Sequence, residues 1–443
     1  MKRVFNLVKS PAFQKLLVRG SIGLGLKGGA AGMQLLMFAA IARAISADDF
    51  GTFGFAFSLA TIISNVGSLG QRMYVLKEGA ILSDRHEDAA LGSLVRESMI
   101  AVILGTIAAS SLIWVVASFS AVELRGGMGF ATAFLAVGFS LAGLLTHLFR
   151  SYRSLVFAFL PRDILWRLAV TIIFVTVPTV FGTLDALSTT LVAGGTLFVM
   201  SIWHLLLDPF ARKSFSKAFS GAGVVQRISA AKYLWVTSLL PMIGGAELAT
   251  VLLGLVTSPS ETGMFFAAFR LSLVMELFSR AAYIVVGPMI ARFSAAEAKE
   301  DLQRVMSQSV IAVTVPGIII FGIVVLFGTQ MLSLMNPSFA DGHTAFVILA
   351  FGFLISIATG PIPAIMELTG QEGPLMRRMF ITNIGYLVLL LPLVMTLGIV
   401  GAAIGVAALR IVQHVSLVRS VENHLGVSPT VWHPFFQMMG KKQ

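Results

Sequence analysis

Twelve stretches of about 20 mostly apolar residues follow one another along this chain, each long enough to cross a bilayer as a helix. They cover residues 20–45, 52–73, 91–119, 128–149, 164–182, 187–207, 233–257, 263–292, 310–335, 344–368, 375–397 and 399–421. The longest polar connection, 208–232, leaves no room for a soluble domain. Of 443 residues, 56% are hydrophobic and 12% charged, where a soluble domain has about 45–50% and about 25%. The expected fold class is an all-α polytopic membrane protein. Cysteine is absent, which excludes disulfides, thiolate metal sites and a cysteine nucleophile. Neither a metal nor a cofactor is expected. Residues 1–20 are basic and amphipathic and lack a signal peptide's apolar core; they read as an interfacial helix starting at Ser10-Pro11.

The net charge of +11 points to membrane topology rather than to nucleic acid. Basic residues crowd the N-terminus, every even-numbered loop and the C-terminal end, whereas the odd loops hold only Arg43 and Arg125. Both termini and the even loops are therefore expected on the cytoplasmic side. The alternation runs unbroken through all twelve spans, and a missed or spurious span would have inverted it midway.

The chain also repeats itself. "DDFGTFGFAFSLA" (48–60) aligns without gaps to "SETGMFFAAFRLS" (260–272), a spacing of 212 residues. Gly51 meets Gly263, Phe53 meets Phe265 and Leu59 meets Leu271, and each stretch joins the first two helices of a six-helix half. Two six-helix lobes related by a parallel internal repeat are expected, with substrate between them. Residues 1–207 form the N-terminal lobe with its basic interfacial segment, 208–232 a basic cytoplasmic linker, 233–421 the C-terminal lobe and 422–443 a cytoplasmic tail.

The segment "IARAISADDFGTFGFAFSLA" (41–60) resembles the first helical hairpin of the Wzx-type polysaccharide flippases, a branch of the multidrug/oligosaccharidyl-lipid/polysaccharide (MOP) superfamily. Arg43 ends the first span, Asp49-Phe50-Gly51 makes the turn and Phe53 opens the second. The resemblance implies two lobes around a central cavity in a bacterial inner membrane. It also implies transport of an isoprenoid-diphosphate-linked oligosaccharide to the outer leaflet for cell-surface polysaccharide synthesis. Its implied partners are that substrate, membrane lipid, and a polysaccharide polymerase with its chain-length machinery. The missing extra pair of C-terminal spans argues against the lipid II branch.

Charges inside the spans supply the candidate site. At about 100° per residue, Ser58, Thr61, Asn65, Ser68 and Arg72 share one narrow face of the second span. The repeat spacing carries Ser58 to Arg270 and Ser68 to Arg280, and in the resembling family these two helices line the cavity. Arg270, Arg280, Lys27 and Arg72 are therefore the candidate diphosphate contacts, the planar guanidinium fork matching phosphate oxygens. Glu276 stands four residues before Arg280, the favourable order for an ion pair. Glu247, mid-span, is either an H⁺ or Na⁺ coupling residue or the counter-ion of Arg270 or Arg280. Lys27 either snorkels to the interface or lines the cavity. The chain shows neither a zinc-protease motif nor a phosphate-binding loop, and an enzyme is not expected. The competing readings are a cation-coupled multidrug exporter on the same fold and a non-transporting assembly subunit.

Overall fold

The structure is a computed structural model that describes residues 11–122, 124, 126–182, 184–214, 220–296, 298–428 and 430. These residues are almost entirely helical. In the N-terminal half the helices are α1 (Pro11–Ala44), α2 (Ala47–Gly67), α3 (Gln71–Asp84), α4 (Asp88–Ala109), α5 (Leu112–Ala117), α6 (Gly127–Tyr152), α7 (Leu155–Leu160), α8 (Trp166–Phe181), α9 (Ala186–Leu207) and α10 (Pro209–Ser214). The C-terminal half holds α11 (Gly221–Ile243), α12 (Ala246–Val256), α13 (Pro259–Ser272), α14 (Glu276–Ala295), α15 (Lys299–Met335), α16 (His343–Ala358), α17 (Ile362–Leu368) and α18 (Glu372–Leu425).

Among the described residues, eight helical stretches are long and apolar enough to cross a membrane, or nine if the pair α11–α12, bent by 61°, is one span. The other expected spans also fall on helix, but on broken or merged pieces. Residues 164–182 lie on a five-residue π turn, Pro161–Leu165, running into the 16-residue α8. Residues 263–292 are divided between α13 and α14 by a 3₁₀ turn, Leu273–Met275. Spans 375–397 and 399–421 are the two arms of α18, separated at Gly398, whose φ of 54° and ψ of −128° suit only glycine. Arg378 Nη1 donates to the Ser416 carbonyl at 2.9 Å, so the arms lie side by side. "TGPIP" (359–363) breaks the tenth span between α16 and α17.

Three expectations about boundaries are corrected. The second span does not continue to residue 73: α2 ends at Gly67, and Leu69 (φ 47°) and Gly70 (φ 73°) turn the chain into α3. The segment expected as an amphipathic entry helix is continuous with the first span, since α1 starts at Pro11, where a missing N–H costs nothing. Residues 221–232, expected as linker, already belong to α11. That helix docks on the N-terminal half: Gln71 Nε2 donates to the Arg227 carbonyl at 3.0 Å, and Arg227 Nε meets Glu97 Oε2 at 3.1 Å.

The two halves meet through the stretches that resemble one another. Ser46 caps α2 by accepting from the Asp49 N–H, and Ser258 caps α13 by accepting from the Glu261 N–H, 212 positions later in both donor and acceptor. The helices then touch at equivalent residues. A Cβ on Gly51 would lie 1.6 Å from the Pro259 carbonyl oxygen and 3.1 Å from the Gly263 nitrogen, and one on Gly263 would lie 3.1 Å from Gly51 Cα. Lipid tails are as apolar as leucine, so close backbone approach at small residues, not hydrophobic burial, holds such helices together. Behind the contact, Phe38, Phe50, Phe57, Phe266 and Phe339 pack ring against ring, with centroids 5.1–5.9 Å apart. At the same end, Arg43 Nε donates to the Leu334 carbonyl at 2.6 Å and Asn336 Nδ2 to the Ala42 carbonyl at 3.2 Å.

Candidate functional site

Next to this aromatic seam lies a cavity of about 190 Å³ whose walls come from α1, α2, α3, α6, the π turn, α8, α12 and α13. Its described charged lining is Arg72, Arg162, Arg167 and Arg270, against the single acid Glu247. Gln34, Thr61, Ser64 and Asn65 supply neutral polar groups.

Arg72 reaches the cavity by a route that periodicity does not capture. It sits on α3, beyond the break, and its guanidinium folds back onto α2. Nη1 donates to Asn65 Oδ1 at 2.6 Å, and Nη2 to the Ser64 carbonyl at 3.2 Å and to the Ser64 hydroxyl. Nη2 also reaches the Phe139 carbonyl at 3.3 Å. All these acceptors are neutral, and among the described residues Arg72 has no carboxylate partner. Of the expected polar stripe, Thr61 and Asn65 line the cavity. Ser58 is fully buried with an unpartnered hydroxyl, and Ser68 is buried with its hydroxyl donating to the Asn65 carbonyl.

Arg270 is held on all sides. It is 5% exposed, and its Nη1 meets Glu247 Oε1 at 3.5 Å. Its guanidinium carbon lies 4.6–5.3 Å from the ring centres of Phe38, Phe57, Phe266 and Phe269, within cation–π range. The pairing of Arg270 with Glu247, one of the two alternatives open for Glu247, is present. Glu276 faces Arg410 Nη1 at 3.7 Å, and Arg410 stacks 3.8 Å over Phe353. The side chain of Arg280, and with it the expected Glu276–Arg280 pair, lies outside the described residues. Lys27 stands apart from the cavity lining: its Nζ meets Asp163 Oδ2 at 2.8 Å and lies 3.8 Å above the Phe159 ring.

Two cavity cations, Arg162 and Arg167, were not singled out in the sequence, where they read as ordinary cytoplasmic-loop arginines. The π turn brings them in. The Trp166 N–H bonds to the Pro161 carbonyl five residues back, and this wider turn draws residues five apart towards one face, whereas an α-helix sets them about 140° apart. The one sequence signal is Pro161 itself, opening the helix just ahead of Arg162. Arg167 Nη1 donates to the carbonyls of Ala30 at 2.5 Å and Asp163 at 3.1 Å. Arg162 makes no side-chain hydrogen bond or ion pair among the described residues. Arg72, Arg167 and Arg270 each keep a buried Nε–H without an acceptor. Buried donors are nearly always paired, so each of these is an exception, as is the Nε–H of Arg96 elsewhere in the fold.

The fold has known counterparts. No family model matches the chain. The structure of an inward-facing multidrug-resistance MATE family transporter of the MOP superfamily superposes with a TM-score of 0.69 at 13% identity, covering 89% of this chain and 94% of that one. The lipid II flippase MurJ in an inward closed conformation gives 0.67 at 13% identity, over 91% and 87%. A MOP superfamily transporter of Pyrococcus furiosus, described as having a binding pocket of reversed polarity, gives 0.58 at 12% identity, over 93% and 96%. In sequence, the "Probable low-salt glycan biosynthesis flippase Agl15" of Haloferax volcanii is 24% identical over 233 residues. That match covers 50% of this chain and 46%, about half, of the relative's length. The chain is thus a multi-pass membrane protein with the fold of MOP-superfamily transporters.

Proposed function

We propose that the chain moves an isoprenoid-diphosphate-linked oligosaccharide from the cytoplasmic to the outer leaflet of a bacterial inner membrane, by alternating access between two six-helix lobes. The observation that carries this reading is the cavity: four guanidinium groups against one carboxylate among its described lining residues. A lipid-linked diphosphate is an anion that must pass a low-dielectric region, and fixed guanidinium groups lower that barrier. The same charge repels cationic drugs. The contact of Gly51 with Gly263, residues 212 apart in a chain that resembles itself at that spacing, supports the parallel repeat, because equivalent residues touch only beside a symmetry axis. Helical backbone at all twelve expected spans, once the arms of α18 are counted separately, supports the twelve-span topology. The alternation of basic loops supports cytoplasmic termini. The bond from Arg270 to Glu247 favours Glu247 as counter-ion over a role in H⁺ or Na⁺ coupling.

Depletion of the protein in its host tests the reading. Lipid-linked oligosaccharide should accumulate on the cytoplasmic leaflet while surface polysaccharide falls. Unchanged lipid-linked intermediates together with new drug sensitivity would instead identify an exporter.

A further inference from the structure

A second cavity, of about 710 Å³, opens between the two arms of α18. Pro374, Arg377, Arg378 and Ile381 line it from the first arm, and Ser420 and His424 from the second; none of its described lining residues belongs to the basic cavity. No carboxylate is among them. Glu372, the first residue of the helix, is exposed and lies outside the lining. Arg378 is anchored by the Ser416 carbonyl at 2.9 Å, and His424 Nδ1 lies 2.8 Å from the Ser420 carbonyl. Arg377 is exposed and has no side-chain partner among the described residues. The Ser420 side chain is fully buried, yet its hydroxyl has no partner. Two arginines and a histidine along an open groove without a described carboxylate together describe a receptor for an oxyanion.

The surroundings define which oxyanion. From this groove the first arm continues into an exposed face of Phe380, Ile381, Ile384 and Val388, an apolar stripe that suits acyl chains and not water. Ile381 follows Arg377 by one helical turn, about 6 Å along the axis, the step from a headgroup to the start of its chains. On the orientation proposed above, the polar end lies at the cytoplasmic surface, where basic pockets between spans take up anionic lipid headgroups.

We propose that the groove between the arms of α18 binds the phosphate headgroup of an anionic phospholipid of the cytoplasmic leaflet, Arg377 and Arg378 contacting the phosphate and the Ile381–Val388 face carrying the chains. The protein would thus hold a structural lipid at a site separate from the basic cavity.

The test uses the full chain in nanodiscs of phosphatidylcholine doped with phosphatidylglycerol, read by native mass spectrometry of retained lipid. Arg377→Gln is the informative variant, because Arg377 is exposed and has no hydrogen-bond or ion-pair partner among the described residues whose loss would disturb folding. Retention of phosphatidylglycerol should fall about fivefold, the effect of one interfacial arginine, and retention of phosphatidylcholine should not change. Equal phosphatidylglycerol retention by the variant and the parent protein overturns the proposal. So does displacement of phosphatidylglycerol by an equimolar polyprenyl phosphate, which would give the groove to an isoprenoid phosphate instead. The readout is binding, not transport, so a negative result here leaves the function proposed for the basic cavity standing, and a failure of that function leaves this result intact.

Discussion

Arg270→Ala should lower the amount of folded protein, and adding Glu247→Gln should restore part of it. Arg270 is buried and Glu247 half-buried, with side-chain exposures of 6% and 23%. Removing one partner of a buried pair leaves the other uncompensated and costs about 3 kcal/mol, whereas neutralising both costs much less. The long separation of 3.5 Å places the cost at the lower end. Loss of the guanidinium also empties the box of Phe38, Phe57, Phe266 and Phe269. Arg162→Ala should behave in the opposite way, because Arg162 lines the cavity with no hydrogen bond or ion pair of its own among the described residues, its nearest charge effect being a long-range one on Asp163. Its abundance should stay normal while lipid-linked oligosaccharide export is lost, and Arg162→Lys should keep part of the activity through its charge. Abundance in membranes and flux of lipid-linked intermediates separate the two behaviours. Full export by abundant Arg162→Ala protein would remove Arg162 from the substrate path, and a double variant scarcer than Arg270→Ala would discard the pairing account.

The second large effect is expected at Gly51. A methyl group there meets the Pro259 carbonyl oxygen at 1.6 Å and its carbon at 2.4 Å. Neither belongs to a side chain able to rotate away, so α2 and α13 must part. Overpacking costs about 1–3 kcal/mol and occasionally more, and a backbone clash this close belongs at the upper end; Gly51→Ala should be poorly accumulated with a clearly lower melting temperature in detergent. Gly263→Ala should be milder, since its nearest neighbours stand at 3.1 Å and a shift of a few tenths of an ångström relieves them. Equal stability of Gly51→Ala and the parent protein would contradict the close packing of the two helices.

The sequence carries the membrane class and the hairpin signature openly, because spans depend on length and hydropathy alone, and the serine caps at Ser46 and Ser258 lie where the repeat spacing puts them. It also offers Arg270 and Glu247 as partners, since two opposite charges in adjacent apolar spans have few other places to go. What it conceals are local departures from the α-helix. Leu69 in a left-handed conformation ends α2 where only Gly70 hints at a turn, and so Arg72 arrives from a different helix than periodicity assigns. The π turn at Pro161 rotates Arg162 and Arg167 towards the cavity, and the rule that counts cytoplasmic arginines cannot distinguish a solvated one from one that faces inward. The 3₁₀ turn at Leu273–Met275 likewise breaks a span that hydropathy reads as continuous.

The excess of arginine over glutamate in the cavity has an electrical side. Four guanidinium groups against one carboxylate leave three net positive charges embedded in a region across which an energised membrane drops its voltage. On the proposed function, a diphosphate aboard would cancel most of that excess, and the field would do little work on the outward step. Once the substrate has left, the uncovered charges shift from the outer to the inner side as the cavity reopens to the cytoplasm. Each is drawn inwards by up to about 2.3 kcal/mol per 100 mV of inside-negative potential. The reset of the empty transporter would then be the voltage-driven half of the proposed cycle. In vesicles clamped by a potassium diffusion potential, with no proton or sodium gradient, transport should quicken as the interior becomes more negative; a rate indifferent to voltage would contradict this. On the proposed function, the cavity's own fixed charge would couple the resting potential of the cell to outward movement of the lipid-linked glycan.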